Sequence, residues 1–260
     1  MERNRYDGAM LRERLGGLPL HIFREIDSTN SEARRYAKGG GAIPAVFLAE
    51  GQTAGRGRMG RGFYSPDGTG IYFSLLFELP QEPNEVTRLT ALAAVGVLRA
   101  IRRVTGVTPA IKWVNDLYLD GKKIAGILAE SFLAEKTRCA VLGVGVNLCT
   151  ADFPAELKNV AGSLMTHGGL RNELTAALIE EVWALLKSPD AAVMAEYRAH
   201  STVLGKTVTY IQNGVTYEGV AQTIDDAGRL TVCRADGGTA LLSGGEISLR
   251  LANQEKKEDL

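Results

Sequence analysis

The sequence predicts an α+β fold followed by a small β-barrel, and two observations carry this prediction. Up to about residue 200, apolar runs of strand length alternate with segments of helical period, and 85–104 is the clearest helix because it keeps one face apolar. From 203 to 251, five short strand-like runs are separated by turns such as Asn213-Gly214, which is typical of a small closed barrel. We therefore expect a larger domain over 1–202, a barrel over 203–252 and a disordered tail over 253–260.

The larger domain is predicted to contain strands and helices in alternation. A capping box of Thr29 and Glu32 predicts the start of the first helix. Asp120-Gly121 predicts a two-residue hairpin turn, and Ser188-Pro189-Asp190 predicts the opening of the last helix. The predicted strands span 19–27, 45–50, 71–77, 111–119, 122–130 and 139–148; the predicted helices begin at Thr29 and span 85–104, 172–187 and 189–199.

Composition and charge argue against several classes of protein. The 260 residues include 30 Lys plus Arg and 30 Asp plus Glu, so no overall field draws the chain to DNA or to an anionic membrane. Three scattered cysteines without a C-x-x-C pair argue against a disulfide framework and a thiolate zinc site. The charged first twenty residues lack the apolar run of a signal peptide, and no apolar stretch has the roughly 20 residues of a membrane span. We expect a reduced, cytoplasmic protein that binds neither DNA nor a membrane.

Residues 51–62 (GQTAGRGRMGRG) contain the strongest chemical signal. Arg56, Arg58 and Arg61 alternate with glycines, which let the backbone approach a ligand, while arginine offers a bidentate fork to phosphate or carboxylate. In a protein of zero net charge this pattern predicts a local anion site, with a solvated loop or an RNA-binding arginine-glycine box as alternatives. The segment also spells G-x-G-x-x-G, but a turn rather than a helix follows it, which excludes the dinucleotide-binding interpretation; the sequence has no P-loop motif.

Three further clusters are candidates for the same site, and each has a structural alternative. Lys112 is placed to spread the charge of an attacked phosphate, and Asn115 or Asp116 to orient Mg²⁺ or an amine; salt bridges at a strand edge would explain the same residues. Residues 143–147 put alternating glycines in a strand, which marks either close approach of a ligand or tight packing of the sheet. Residues 28–30 are small and polar, so they line a polar recess or cap a helix. The three histidines are isolated and indicate surface or core positions.

In order and spacing these segments resemble the biotin–protein ligases, also called biotin–[acetyl-CoA-carboxylase] ligases. The match covers about residues 20–150, and several motifs together make it specific. A small C-terminal barrel of the SH3-like type is also a feature of that family. The matching text is Ser28-Thr29-Asn30, Gln52 to Gly62, Ser65-Pro66 with Gly68, Gly70 and Tyr72, Lys112 to Tyr118, Lys123 to Leu128 with Glu130, and Gly143 to Asn147.

The resemblance implies a fold and a reaction. The family has the mixed sheet flanked by helices that class II aminoacyl-tRNA synthetases share. Its enzymes join the carboxylate of biotin to the α-phosphate of MgATP, release pyrophosphate, and transfer biotin from biotinyl-5′-AMP to a lysine of a biotin carboxyl carrier protein. The resemblance thus implies ATP, Mg²⁺ and biotin as ligands, although no carboxylate cluster in the sequence indicates the ligands of the metal.

The resemblance also implies roles for individual positions. Lys112, Arg56 and Arg58 are the expected catalytic residues, because adenylation brings a carboxylate to a phosphate, neutralises charge at phosphorus and excludes water. Biotin contacts are expected from Ser28, Thr29, Asn30, Gln52, Arg56, Gly57, Arg58, Lys112 and Gly126. Contacts to ATP or the adenylate are expected from Arg58, Arg61, Asn115, Lys123 and Asn147.

The chain departs from the family pattern in two residues and in its N-terminal segment. Val114 and Phe63 stand where the family usually has proline and tryptophan; both keep apolar bulk, so we expect activity to be retained. Only 27 residues precede Ser28, too few for the helix-turn-helix domain of bifunctional members, which predicts a ligase that does not repress transcription. A homodimer is expected by analogy with the family.

Two other functions remain open. A lipoate– or octanoate–protein ligase would need a long apolar tunnel, whereas Ser28-Thr29-Asn30 and Gln52 offer polar groups to the ureido ring of biotin. A non-catalytic sensor of biotin or a nucleotide would have no need of the three cations Arg56, Arg58 and Lys112.

Overall fold

The computed structural model describes residues 5–79, 86–189, 191–245 and 247–249. Helices and strands alternate in the larger part of the chain, and only strands follow α5. The helices are α1 (Gly8–Arg14), α2 (Thr29–Lys38), α3 (Val86–Thr105), α4 (Arg171–Lys187) and α5 (Val193–Ala199). The strands are β1 (Leu20–Ile26), β2 (Ala45–Gln52), β3 (Gly70–Glu78), β4 (Ala110–Lys112), β5 (Asp116–Leu119), β6 (Lys122–Ala134), β7 (Thr137–Asn147), β8 (Thr207–Gln212), β9 (Val215–Ile224), β10 (Leu230–Arg234), β11 (Thr239–Leu242) and β12 (Ile247–Leu249).

The first seven strands form one mixed sheet in the order β1-β2-β3-β7-β6-β5-β4. β1 and β2 are parallel, and the other neighbours are antiparallel. Helices cover both faces, which explains why β2 is a continuous apolar run: Val46 and Leu48 belong to the core shared with α3 and α4, whereas Phe47 packs with Ala33 and Ala37 of α2. The predicted mixed sheet flanked by helices is confirmed.

The first predicted helix is present, but its cap is one residue earlier than predicted. Ser28 is the N-cap, and its side chain accepts a hydrogen bond from the Ser31 backbone N–H. The predicted capping box of Thr29 and Glu32 is therefore wrong. The Thr29 hydroxyl instead contacts Gln52, and the Glu32 carboxylate lies 2.6 Å from the Arg35 guanidinium.

The predicted strand 111–119 is also wrong, since the chain reverses in its middle. Lys112 pairs with Asp116 in antiparallel register, so β4 and β5 form a hairpin with a turn between them. Trp113 and Val114 in that turn are both buried. Because buried turn residues are apolar, as strand residues are, the sequence of this segment looks like one continuous strand. The next turn agrees with the prediction, because Asp120 and Gly121 both have positive φ, as a two-residue hairpin of this type requires.

Two of the remaining helices differ from the sequence prediction. α1 was not predicted, because Leu11 is its one fully buried side chain among charged neighbours and the apolar period is weak. Its N-cap is Asp7, which accepts hydrogen bonds from two backbone N–H groups. α5 begins at Val193 rather than at 189, and Asp190 of the predicted opening lies outside the described residues. α3 and α4 confirm the helices predicted at 85–104 and 172–187.

The five predicted C-terminal strands form a second, antiparallel sheet in the order β11-β10-β9-β8-β12. In the part of the chain that the structure describes, no ladder joins β11 to β12. The inward-facing residues of this sheet, such as Val208 and Val232, belong to the same buried core as the main sheet. The Trp113 indole N–H donates to Gly228 O at 2.8 Å and so ties the second sheet to the β4–β5 turn. The predicted disordered tail, 253–260, lies outside the described residues.

Among the described helices, none combines the length and the apolar character of a membrane span.

Candidate active site

A cleft lies where the start of α2 and the end of β2 meet the middle of β6 and β7. It encloses about 450 Å³, including its open mouth. Lys112, Arg61 and Asn147, which were predicted for the site, do not line this cleft. The predicted site residues that do line it are Ser28, Thr29, Asn30, Gln52, Arg56, Gly57, Arg58, Asn115, Lys123 and Gly126.

Thr29, Asn30, Gln52 and Ser74 form a hydrogen-bonded group at the inner end of the cleft, which we call the polar floor. Gln52 Oε1 accepts from the Thr29 backbone N–H at 2.8 Å and lies 3.2 Å from the Thr29 hydroxyl. The Ser74 hydroxyl lies 2.7 Å from Thr29 Oγ1 and 2.6 Å from Asn30 Oδ1. Thr29, Asn30 and Ser74 are buried. Because each member fixes the next, these polar groups are oriented before any ligand arrives.

Ser74 does not line the cleft, but it holds Thr29 and Asn30, which do, and the sequence analysis missed it. It is a single serine in the apolar strand β3, and none of its side chain is exposed. A buried hydroxyl between apolar neighbours must find a hydrogen-bond partner inside the protein. This requirement could have marked Ser74 as part of a buried hydrogen-bonded group, but the sequence alone does not say which residues supply the partner.

Gly143 and Gly145 on β7 allow side chains of the site to lie directly on the sheet. A Cβ added at Gly143 would lie 2.1 Å from Asn30 Oδ1, and one added at Gly145 would lie 2.5 Å from the Phe63 ring. On β6, a Cβ at Gly126 would lie 3.1 Å from Lys123 Cε. The glycine pattern therefore marks close approach of the protein's own side chains at the cleft wall.

Residues 55–62, here called the arginine loop, fold back on themselves beside the cleft. The Gly57 N–H donates to Arg61 O at 2.7 Å, and the Phe63 N–H donates to Gly55 O at 2.8 Å. A Cβ at Gly55 would lie 2.4 Å from Phe63 O, so this close return of the chain requires glycine there. The backbone thus presents Arg56, Gly57 and Arg58 along one edge of the cleft.

The side chains of the arginine loop reach across to the main sheet and to the second sheet. Arg56 Nη2 donates to Glu130 Oε1 at 2.8 Å. Arg58 Nη1 donates to Asn115 Oδ1 at 2.9 Å, and Arg58 Nη2 donates to Gly245 O at 3.0 Å. Since Gly245 lies between β11 and β12, the second sheet contributes directly to the wall of the site.

A second cleft adjoins the first on the far side of Arg58. Lys123 lines both clefts, and its Nζ lies 2.7 Å from Asp116 Oδ1. Lys112 and Arg61 line only the second cleft. Lys112 lies on the edge strand β4 and lines the second cleft rather than the first, and its expected contact with biotin stays a prediction. The Lys112 Nζ lies 5.4 Å from the centroid of the Tyr118 ring.

Asn147 supports the structure around the site and lines neither cleft. Its buried amide donates to Gly162 O at 3.1 Å and to Lys123 O at 3.4 Å. Its backbone carbonyl accepts from the Leu164 N–H at 2.9 Å. Asn147 thereby fixes the segment around 162–164 against the start of β6, which carries Lys123.

The charges around the two clefts favour an anion. The cations Arg56, Arg58 and Lys123 line the first cleft, and Asp116 and Glu130 are the carboxylates that contact two of them. No group of three or more His, Cys, Asp or Glu in the described ranges is arranged to hold a metal ion. Beside the polar floor, two hydrogen bonds from Arg35 lower the pKa of Asp27 to about 2.

Similarity to known proteins decides the family. Residues 25–147 match the biotin/lipoate A/B protein ligase family, and residues 203–250 match the biotin protein ligase C terminal domain. The biotin–[acetyl-CoA-carboxylase] ligase of Mycobacterium tuberculosis is 35% identical to the chain over 245 residues, which cover 89% of both proteins. The chain belongs to the biotin protein ligase family. As a member of this family it is a ligase.

Two other similar proteins agree with this assignment. The bifunctional ligase/repressor BirA of Escherichia coli is 32% identical over 253 residues, which cover 92% of this chain and 77% of the relative. A solved biotin protein ligase from Aquifex aeolicus, in complex with biotin and ATP, has a TM-score of 0.72 at 24% identity and covers 89% of this chain and 98% of its own. At this identity the structural match shows the fold alone, and it confirms the predicted fold class.

Proposed function

We propose that this ligase activates biotin as biotinyl-5′-AMP and then transfers biotin to a lysine of a biotin carboxyl carrier protein. The observation that carries the proposal is the single cleft in which a buried polar floor faces Arg56, Arg58 and Lys123. One end of that cleft suits a small polar ring, and the other end suits a carboxylate and a phosphate.

The first step joins two anions, and the cations of the cleft make that possible. A carboxylate oxygen of biotin attacks the α-phosphorus of ATP, the bond to the β-phosphate oxygen breaks, and pyrophosphate leaves. Arg56 and Arg58 hold the carboxylate and the α-phosphate together against their repulsion, and Lys123 spreads the charge that develops at phosphorus. In the second step the carrier amine attacks the acyl carbon, loses a proton and displaces AMP.

The polar floor supplies the specificity for biotin in this proposal. Ser28, Thr29, Asn30 and Gln52 line the part of the cleft where we expect the ureido ring. Gln52 holds Thr29 in place, and Ser74 holds Asn30. Gly57 and Gly126 also line the cleft, and we expect both to contact the ligand. A lipoyl chain has no ureido group to satisfy such a polar surface, which favours biotin over lipoate.

The second cleft is assigned to the rest of the nucleotide. Lys112 and Arg61 line it beside Lys123, so we place the leaving pyrophosphate there, with Lys112 as a supporting cation. Asn115 and Asp116 also line it, and one carboxylate with a neighbouring amide oxygen fits Mg²⁺ that travels with ATP phosphates. Bound Mg²⁺ supplies further charge neutralisation at the phosphates. The contact expected between Asn147 and adenine stays a prediction.

We also propose where and in what form the ligase works. The division into a catalytic domain, 1–202, and a C-terminal domain, 203–252, follows the change from the mixed sheet to the second sheet. The three free cysteines fit the reducing cytoplasm. A homodimer remains a prediction, and light scattering in the presence of biotin and ATP tests it.

Transfer to a carrier tests the proposed function as a whole. The chain is incubated with biotin, MgATP and a biotin carboxyl carrier domain, and intact-mass spectrometry follows the carrier. The expected result is the mass of one biotinyl group on one lysine, with AMP formed in equal amount. A carrier in which that lysine is replaced by arginine is the control. No biotinyl transfer, or transfer of a lipoyl group when lipoate replaces biotin, would contradict the proposal.

A further inference from the structure

Glu130 on β6 contacts both the arginine loop and the polar floor. One carboxylate oxygen accepts from Arg56 Nη2 at 2.8 Å and lies 3.4 Å from Arg34 Nη2. The other oxygen accepts from Asn30 Nδ2 at 3.1 Å. The Glu130 side chain is 19% exposed, so these contacts are better shielded from solvent than an ordinary surface ion pair.

The contacts of Glu130 join the arginine loop to the polar floor. Asn30 Oδ1 accepts a hydrogen bond from the Ser74 hydroxyl, and Asn30 Nδ2 also donates to Leu128 O at 3.3 Å. Asn30 therefore has little freedom to turn, and it holds the Glu130 carboxylate in a fixed direction. On the other side, Arg56 belongs to an exposed loop and its side chain is 42% exposed.

We propose that Glu130 is a positioning residue that aims the Arg56 guanidinium at the carboxylate of the bound ligand. A guanidinium has five N–H donors in a rigid fork, so the bond from Nη2 to Glu130 sets the plane in which the other donors lie. A long arginine side chain loses rotamer freedom when it binds an anion. Glu130 imposes that loss before the ligand arrives, so binding of a carboxylate or phosphate becomes more favourable. This inference rests on the proposed function.

Titration with two ligands that differ only in the carboxylate tests the inference. The ligands are biotin and its primary alcohol, in which a CH₂OH group replaces the carboxylate. Glu130→Gln is expected to weaken biotin about tenfold and the alcohol less than about twofold, because a charge-assisted contact is lost only for the anion. Glu32→Gln is the matched control on α2: it removes the same charge near the cleft, and both affinities are expected to stay within about twofold.

A double-mutant cycle separates positioning from a general structural role. Arg56→Ala is expected to weaken biotin at least as much as Glu130→Gln, and the double variant no more than Arg56→Ala, because Glu130 acts through Arg56. Glu130→Asp keeps the charge on a side chain that is shorter by one methylene. We expect its biotin affinity to lie between those of the wild type and Glu130→Gln. If Glu130→Gln is too unstable for titration, Glu130→Asp together with Arg56→Ala completes the same cycle.

The outcomes distinguish this inference from the proposed function. Equal weakening of both ligands, additive effects in the double variant, or tighter biotin binding by Glu130→Gln would each overturn the role of Glu130. A wild-type protein that binds neither biotin nor its alcohol would instead overturn the proposed function.

Discussion

The polar floor and the arginine loop line the same cleft but are held in different ways. In the floor, Thr29, Asn30 and Ser74 are buried, and Thr29 contacts both Gln52 and Ser74. The loop lies at the surface and is tied to the body by long charged side chains, as in the contact between Arg56 and Glu130. The groups proposed to recognise the ring are thus held by buried hydrogen bonds, whereas the groups proposed to handle charge are held by partly exposed ion pairs. Floor changes should mainly alter binding and stability, and changes to Lys112 and Lys123 should mainly alter the rate.

The two lysines give the largest expected effect and test the charged half of this comparison. Lys123→Ala is expected to lower the rate of adenylate formation by about 10²–10³-fold, because Lys123 lines both clefts and is the lysine that we propose stabilises charge at phosphorus. Lys112→Ala is the matched variant and is expected to lower the rate about tenfold or less, since Lys112 lines only the second cleft. Single-turnover measurements of adenylate formation at saturating biotin compare the two. A greater loss from Lys112→Ala would restore the sequence-based assignment.

Gly143→Ala breaks the floor without changing its polar residues. The new Cβ would lie 2.1 Å from Asn30 Oδ1, so Asn30 must move away from the cleft wall. We expect a loss of about 2 kcal/mol in the free energy of biotin binding, measured by calorimetry. Gly39→Ala is the control, because its Cβ would meet nothing closer than 3.5 Å. Unchanged biotin affinity in Gly143→Ala would place the ring elsewhere.

Ser74→Ala tests whether the floor is a stable network. Removal of this hydroxyl leaves buried polar atoms of Thr29 and Asn30 with fewer partners. We expect the free energy of unfolding in urea to fall by about 1–2 kcal/mol. Ser131→Ala, at an exposed position on β6, is expected to change it by less than about 0.5 kcal/mol. Equal effects of the two substitutions would contradict the network.

Asp27→Asn is expected to have the smallest effect, at the rim of the floor. The pKa of Asp27 is lowered from 3.8 to about 2 in the folded chain, mainly by hydrogen bonds from Arg35. Stability from this pair is therefore complete above pH 3.8 and is lost as the pH falls through about 2. Because the Asp27 side chain is 44% exposed, we expect only about 0.5–1 kcal/mol at pH 7. Urea unfolding of both proteins between pH 7 and pH 2 checks that the difference shrinks with acidity.

Much of the fold follows from local patterns in the sequence, and the exceptions have physical causes. The β5–β6 hairpin was predictable because Asp120-Gly121 adopts positive φ at both positions. The β4–β5 reversal was not, since Trp113 and Val114 are buried in a turn and look like strand residues. α1 was missed because its burial depends on a single leucine.

The site was predictable in its residue types but not in its arrangement. The motif segments supplied Ser28 to Asn30, Gln52, Arg56 and Arg58, which the cleft brings together. The sequence analysis gave the catalytic role to Lys112 and a nucleotide contact to Lys123, but it could not place either lysine relative to the floor, because that depends on which strand lies at the edge of the sheet. Nor could it reveal Ser74, whose role depends on side chains from two other elements.

Exchange of labelled pyrophosphate into ATP tests the central claim, that this cleft adenylates biotin, most directly. The purified chain is assayed with Mg²⁺ and with biotin, lipoate or no acid, because reversal of adenylate formation needs no carrier protein. We predict exchange with biotin and none with lipoate or without acid. Exchange with lipoate alone, or no exchange from a protein shown to bind biotin, would contradict the account.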